Sequence, residues 1–411
     1  MHPVHNNERI VLMDALRGIA ILGIFIANLG AGFAFYDATA AKTGPFFHRL
    51  DQPFLFWQHV FIEGKFYSIF SFLFGWGFAL QLMRSEQKGI LPATFMRRRL
   101  FFMLLLGGVH LLFIWVGDIV AFYALVGWVL LWIRNWSDRR LLYTALLCLL
   151  LPLPLYFLKM KLPVLAAPAY LLFQAGGRID QLTGVGSFEQ FQAMLKNGGY
   201  LQLLYSNLSG AFYRYADLLF QDRFFKVLGM FCLGYLLGRN NRYRTVLINR
   251  RLLGIVALAG LLIGLPANYL LAGAMESGGY YELKPGGLYR TVWYTLGVAP
   301  LALAYMALFF LLAQHRMGKR LIALLQPPGK MAFTNYITHS VVGAVVFYGV
   351  GWGMMDEVGP VVYTAFAVLV FALQVILSTV WLQFFRFGPV EWLWRSATYR
   401  SWQPFRRQRG S

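Results

Sequence analysis

The sequence predicts an all-α, polytopic membrane protein with about ten transmembrane helices, and three observations carry that reading. Apolar residues make up 58% of the 411 positions and charged residues only 13%, about half the charged share of an ordinary soluble domain. The apolar residues lie in runs close to the length that an α-helix needs to cross roughly 30 Å of hydrocarbon, and the mean hydropathy is +0.56. Lys and Arg alternate as well: connections on the N-terminal side of the membrane hold 25 of them and the opposite connections 10. Basic loops resist translocation, so both termini are expected in the cytoplasm, with the chain crossing the membrane many times.

The elements follow in order. The first apolar run covers about 12–34, the second 66–82 and the third 100–116, which only Gly117 and Asp118 separate from the fourth, 119–133. A fifth, 141–157, completes an N-terminal half, 1–158. The segment 159–224 carries amphipathic stretches such as 188–195 and reads as a long, irregular loop along the outer interface. The C-terminal half, 225–411, holds five more runs, about 224–237, 252–271, 291–312, 331–350 and 360–384. Between the eighth and ninth, 316–328 reads as an amphipathic helix on the inner face, with Leu321, Ile322, Leu324 and Leu325 toward lipid. No cleavable signal is expected, because 2–9 is polar and the first run lacks a small-residue cleavage pattern.

Composition also bounds function. A formal charge of +20 suits anionic headgroups at the inner leaflet of a membrane protein, and no nucleic-acid partner is expected. Cys148 and Cys232 both lie inside apolar runs, which argues against a disulfide framework or a cysteine metal site; no metal is expected.

Ionisable and amide groups within apolar runs are costly there and are the functional candidates. Asp14 and Arg17 sit one turn apart at the start of the first run, where a local ion pair is the bland explanation. Asn28 lies further along, beside Gly30 and Gly32, able to hold a substrate carbonyl or to glue helices together. Lys65 opens the second run near the outer face, where snorkelling is the plain alternative. His110 falls near the end of the third run and Asp118 opens the fourth. A carboxylate fixes the tautomer of an imidazole and raises its basicity, the arrangement needed for general-base attack by a hydroxyl or amine; a satisfied interhelical donor is the alternative. His48, His59 and His339 are weaker candidates. Arg97, Arg98, Arg99, Lys330 and Arg395 suit phosphates or lipid headgroups, and Glu391 stands four residues before Arg395, at ion-pairing distance on a helix.

Together these residues resemble a known family. Met13-Asp14-Ala15-Leu16-Arg17-Gly18 followed by Asn28, then Gly64-Lys65-Phe66, Phe74-Gly75-Trp76-Gly77, Arg98-Arg99-Leu100, His110 and Gly117-Asp118-Ile119 look like the YeiB-like bacterial membrane proteins. The C-terminal part of that family is the domain of unknown function 418. Gly329-Lys330-Met331-Ala332, Thr334-Asn335-Tyr336 and Gly388-Pro389 to Glu391-Trp392 and Trp394-Arg395 continue the resemblance. Its N-terminal half is similar to transmembrane acyltransferases, including the heparan-glucosaminide acetyltransferases, which match here at Asp14, Arg17, Gly18 and Asn28. In those enzymes the base is a histidine in the following outer loop, and His48 and His59 offer no local match, so His110 with Asp118 takes that place.

The resemblance implies an acyltransferase fold and reaction. Acetyl-CoA or another acyl-CoA would enter from the cytoplasm past Asp14, Arg17, Lys330, Asn335, Tyr336, Glu391 and Arg395. His110 would act as base, oriented by Asp118, with Asn28 or Lys65 steadying the oxyanion. The acceptor would be an extracytoplasmic hydroxyl or amine on a glycan, lipid or small metabolite. Membrane lipid is an expected partner, and a homodimer stays open. Two rival readings remain: a transporter or lipid flippase on the same scaffold without the chemistry, and a structural membrane subunit.

Overall fold

The computed structural model describes residues 11–35, 45–275 and 280–407, and among them the regular elements are helices joined by short turns, without a named strand. The N-terminal half contributes α1 (Val11–Asn28), α2 (Asp51–Phe61), α3 (Lys65–Gln87), α4 (Pro92–Phe113), α5 (Val120–Ile133), α6 (Asp138–Leu150) and α7 (Pro152–Lys161). Then come α8 (Ala167–Leu182), α9 (Phe188–Asn197), α10 (Tyr200–Phe220), α11 (Arg223–Gly238) and the short α12 (Tyr243–Val246). The chain continues through α13 (Arg250–Met275), α14 (Pro285–Ala313), α15 (Arg316–Lys330), α16 (Ala332–Phe347), α17 (Pro360–Phe384) and α18 (Pro389–Tyr399).

Five of these segments are long and apolar enough to cross a membrane: Val11–Ala34, Asp51–Gln87, Arg250–Met275, Pro285–Ala313 and Pro360–Phe384. The pair α6 and α7, bent by 45° where Pro152 removes a backbone donor, makes a sixth if taken as one span. The ten spans expected also include α4, α5, α11 and α16, which are shorter or carry more charge. The exposed face of α17 shows what surrounds the bundle: Leu369, Leu373, Ile376 and Leu377 are each more than half exposed. A stripe of that kind is stable against hydrocarbon and unfavourable against water.

Two close helix contacts organise the interior. Gly75 and Gly234 bring α3 and α11 together, each glycine lying against a backbone carbonyl of the partner helix, Phe231 and Phe72 respectively. Gly18 and Gly329 do the same for α1 and α15, against the carbonyls of Leu325 and Asp14. Small residues permit this approach where lipid supplies no hydrophobic driving force between helices.

The structure corrects two expectations here. The segment 159–224 is not irregular: most of it is α8, α9 and the 21-residue α10, and Leu218 joins the same core cluster as Tyr123 and Phe231. The amphipathic α15 does not turn its whole apolar side to lipid. Ile322 and Leu325 are buried in the core cluster that holds the α1 residues Leu16 and Ile21, while Leu324 stays exposed; the Gly18–Gly329 contact draws that face inward.

Candidate functional site

One face of α3 lines a cleft along most of its length. Phe70, Phe74, Gly77, Gln81, Arg84 and Lys88 recur at helical spacing and grade from apolar to cationic. The cleft has two connected chambers that share Arg17, Gly77, Gln81, Arg99 and Arg395. A mouth of about 100 Å³ adds Asp14, Arg84, Lys88 and Tyr399. An inner chamber of about 190 Å³ is lined by Phe70, Phe74, Met96, Leu100 and Met103 and closes on Ile119, Val120 and Tyr336. Six cations thus line the cleft: Arg17, Arg84, Lys88, Arg99, Lys330 and Arg395.

The two carboxylates of the cleft are held by specific donors. Arg17 donates to Asp14 Oδ1 at 3.0 Å, the local ion pair of the plain reading. Glu391 accepts from the Phe333 and Thr334 backbone N–H groups at 2.7 and 3.0 Å and from the Thr334 hydroxyl at 2.5 Å. It therefore caps the start of α16 instead of pairing with Arg395 four residues on. A helix N-terminus offers orphan donors and a favourable dipole for that carboxylate, and burial still raises the carboxyl above its ordinary value. Arg99 lies 3.6 Å from the Trp394 ring centroid, and Trp394 Nε1 donates to the Arg99 carbonyl at 3.1 Å, so α18 is fastened over α4.

Beyond Tyr336 lies the pair that eight residues of sequence separate. His110, in the last turn of α4, and Asp118, in the turn before α5, are joined through Nδ1 and Oδ2 at 2.9 Å. The second oxygen of Asp118 accepts from the Ala121 N–H at 2.7 Å, which fixes the carboxylate on α5. Both side chains are 1% exposed. An ionised carboxylate only accepts, so an imidazole paired with one carries its proton on Nδ1 and its lone pair on Nε2. That nitrogen is buried without a hydrogen-bond partner. The Tyr336 ring, which lines the inner chamber, stands 5.1 Å from the imidazole centroid, and its hydroxyl donates to the Gly117 carbonyl at 3.4 Å.

The remaining predicted residues lie elsewhere. Lys65 does not snorkel: it is fully buried and its ammonium donates to the His59 carbonyl at 2.6 Å. Asn28 is half-buried at the junction of α1 with a π-helical turn, Leu29–Ala34, and its side chain makes no hydrogen bond to His110 or Asp118. Asn335 donates to the Pro328 carbonyl and the Ser378 hydroxyl, both at 3.1 Å, a structural use. His59 pairs with Glu63, and His48 accepts from the Leu50 N–H. Among the described residues no group of three or more His, Cys, Asp or Glu is placed to hold a metal. Sequence reasoning missed Gln81, Arg84, Lys88 and Trp394; the one-face spacing along α3 was the available signal for the first three.

Comparison with known proteins supplies a family without an activity. Residues 237–401 match the family described as protein of unknown function DUF418. The uncharacterized protein YxaH of Bacillus subtilis (strain 168) is 31% identical over 98% of both chains. The uncharacterized protein YeiB of Escherichia coli (strain K12) is 28% identical over 97% of this chain and 98% of its own. An uncharacterized 39.9 kDa protein in the amylase 3′ region of Bacillus acidopullulyticus is also 28% identical, over 97% and 96%. No solved structure matches. Near full-length similarity at that level, with the domain match in the C-terminal half, places this chain in the YeiB-like DUF418 family.

Proposed function

We propose that the protein is an acyltransferase of the bacterial cytoplasmic membrane, moving an acyl group from acyl-CoA to an extracytoplasmic hydroxyl or amine. The observation that carries this reading is the buried His110–Asp118 pair with an unpartnered Nε2, set behind a cleft whose other end is strongly cationic. The basic mouth faces the cytoplasm, in keeping with the distribution of Lys and Arg. Guanidinium groups at Arg17, Arg99 and Arg395 suit the phosphates of CoA, and the apolar inner chamber suits the pantetheine arm and acyl chain. The thioester reaches the dyad when the Tyr336 side chain swings aside.

The chemistry then follows from the tautomer. The acceptor hydroxyl attacks the thioester carbonyl as Nε2 takes its proton, and Asp118 steadies the resulting imidazolium. Collapse of the tetrahedral adduct breaks the carbon–sulfur bond, and the departing thiolate recovers the proton from Nε2. With Lys65 committed to the His59 carbonyl, Asn28 is the oxyanion donor left from the sequence reading.

The test is release of free CoA thiol from acetyl-CoA by the purified protein in nanodiscs, with water and a panel of sugars and lipids as acceptors. Release that depends on His110 is expected. Donor binding with no turnover under any acceptor, and no change in His110→Ala, would transfer the cleft to a carrier.

A further inference from the structure

At the end of α3 away from the mouth, four cations gather without a carboxylate partner. Arg223 and Lys226 share a face in the first turn of α11. The Arg223 guanidinium lies 5.2 Å from the Tyr67 ring centroid, and Lys226 Nζ stands 3.8 Å over Tyr294. The Tyr67 and Tyr294 hydroxyls hydrogen-bond each other, tying α3 to α14 beneath the two charges. Arg290, one turn before Tyr294, lies 4.7 Å from the Tyr280 centroid. Arg214 on α10 interacts electrostatically with Arg223 and Asp217 and also with Asp118 and Tyr336, which couples the cluster to the dyad.

The nearby carboxylates act on the cluster electrostatically but hydrogen-bond to other groups. Asp222 holds the Lys159 ammonium with both oxygens at 2.8 Å. Asp217 accepts from Gln221 at 2.5 Å and from Tyr281, and Glu63 pairs with His59. The one side-chain hydrogen bond of Arg223 goes to Gln221 Oε1 at 2.7 Å. Nε of Arg214 and Nε of Arg223 are buried without partners, and Lys226, 8% exposed, has a ring face as its near neighbour. Lys226 is buried and the three arginines partly so, and the desolvation cost is offset by aromatic faces only in part. An anion between them removes the cost.

We infer that this cluster binds a phosphoryl group. Three guanidiniums and an ammonium match the several oxygens of a phosphate better than the two of a carboxylate, and the flanking tyrosine rings suit a sugar or glycerol attached to it. Assigning that phosphate to the acyl acceptor rests on the acyl-transfer reading, because Arg214 links the cluster to Asp118; the binding itself does not depend on it. The acceptor is then a phosphorylated sugar or a phospholipid headgroup with its reactive hydroxyl directed at His110.

The experiment measures binding of inorganic phosphate and glycerol 3-phosphate to the full-length protein in phosphatidylcholine nanodiscs. Arg99→Gln with Arg395→Gln serves as background, to weaken the mouth. Saturable binding is expected, and adding Lys226→Met or Arg223→Gln is expected to weaken it about tenfold or more. Thermal stability should hold or rise in Lys226→Met, because a buried charge is relieved. Loss of glycerol 3-phosphate binding when phosphatidylglycerol is added to the disc identifies a lipid headgroup as the source, and persistence identifies a soluble or polymer-borne phosphate. Equal binding with and without Arg223→Gln and Lys226→Met overturns the inference. Phosphate binding without any CoA release would retain this site while refuting acyl transfer, so the two failures are separable.

Discussion

His110 and His339 are both buried, 1% and 2% exposed, and each has one ring nitrogen bonded and the other without a partner. Their partners differ in kind. His110 meets the Asp118 carboxyl group at 2.9 Å. His339 meets the Gln374 amide oxygen at 2.6 Å, which carries no charge, and Phe25 covers its face at 3.9 Å between centroids and 4° between planes. One histidine has an acidic group beside it, and the other ties α16 to an amide on α17 and a ring on α1. Residue type and burial are the same; the neighbour sets the chemistry.

That contrast is exposed to direct test. His110→Ala is expected to lower acyl-acceptor turnover by about 10²–10⁴-fold, the usual contribution of a general base, while His339→Ala leaves it within a few-fold; equal losses in the two variants would erase the distinction. Asp118→Asn keeps the shape of the pair and removes its charge, and steady-state assays should show a fall of roughly 10–100-fold. In Arg99→Gln the effect should move to donor binding, with KM for acyl-CoA up by about tenfold and kcat retained, under the proposed division between a binding mouth and a reacting dyad; a loss confined to kcat contradicts that division.

Gln374→Leu removes the partner of His339 and should cost about 1–3 kcal/mol of stability in a melting experiment, the penalty of an unsatisfied buried group, with turnover preserved. The smallest effect concerns Glu391. Its carboxyl is raised above its ordinary value, with burial the largest cause, so the folded protein holds that proton more tightly than the unfolded chain does. This contribution to stability is complete below the unfolded carboxyl pKa of about 4.5 and declines as pH rises through the folded value. Glu391→Gln should flatten the pH dependence of the melting temperature in that window; an unchanged slope would show that Glu391 does not set it.

Much of the site was legible because it depends on local spacing. The Asp14–Arg17 pair is one helical turn, and the carbonyl-to-carbonyl approach of α1 and α15 uses Gly18 and Gly329, both within motifs the resemblance had singled out. Lys65 was misread because solvent exposure at a helix end is not local: His59, across the Ile62–Gly64 turn, presents the carbonyl that takes up its charge. Glu391 was misread for a similar reason, since its three donors come from residues 57 and 58 positions earlier. The four-cation cluster was invisible, its members being spread over α10, α11 and α14.

The all-helical membrane class could be read from the amino acids because hydropathy over some 20 residues is a property of each segment and its solvent, independent of its neighbours. Which polar residues meet was settled by packing alone. His110 gained a carboxylate partner where the turn after α4 returned Asp118 to it. His339, on α16, gained an uncharged one because α17 met it with the Gln374 amide. An electrostatic environment is summed over groups from many helices, and no single stretch of chain contains that sum.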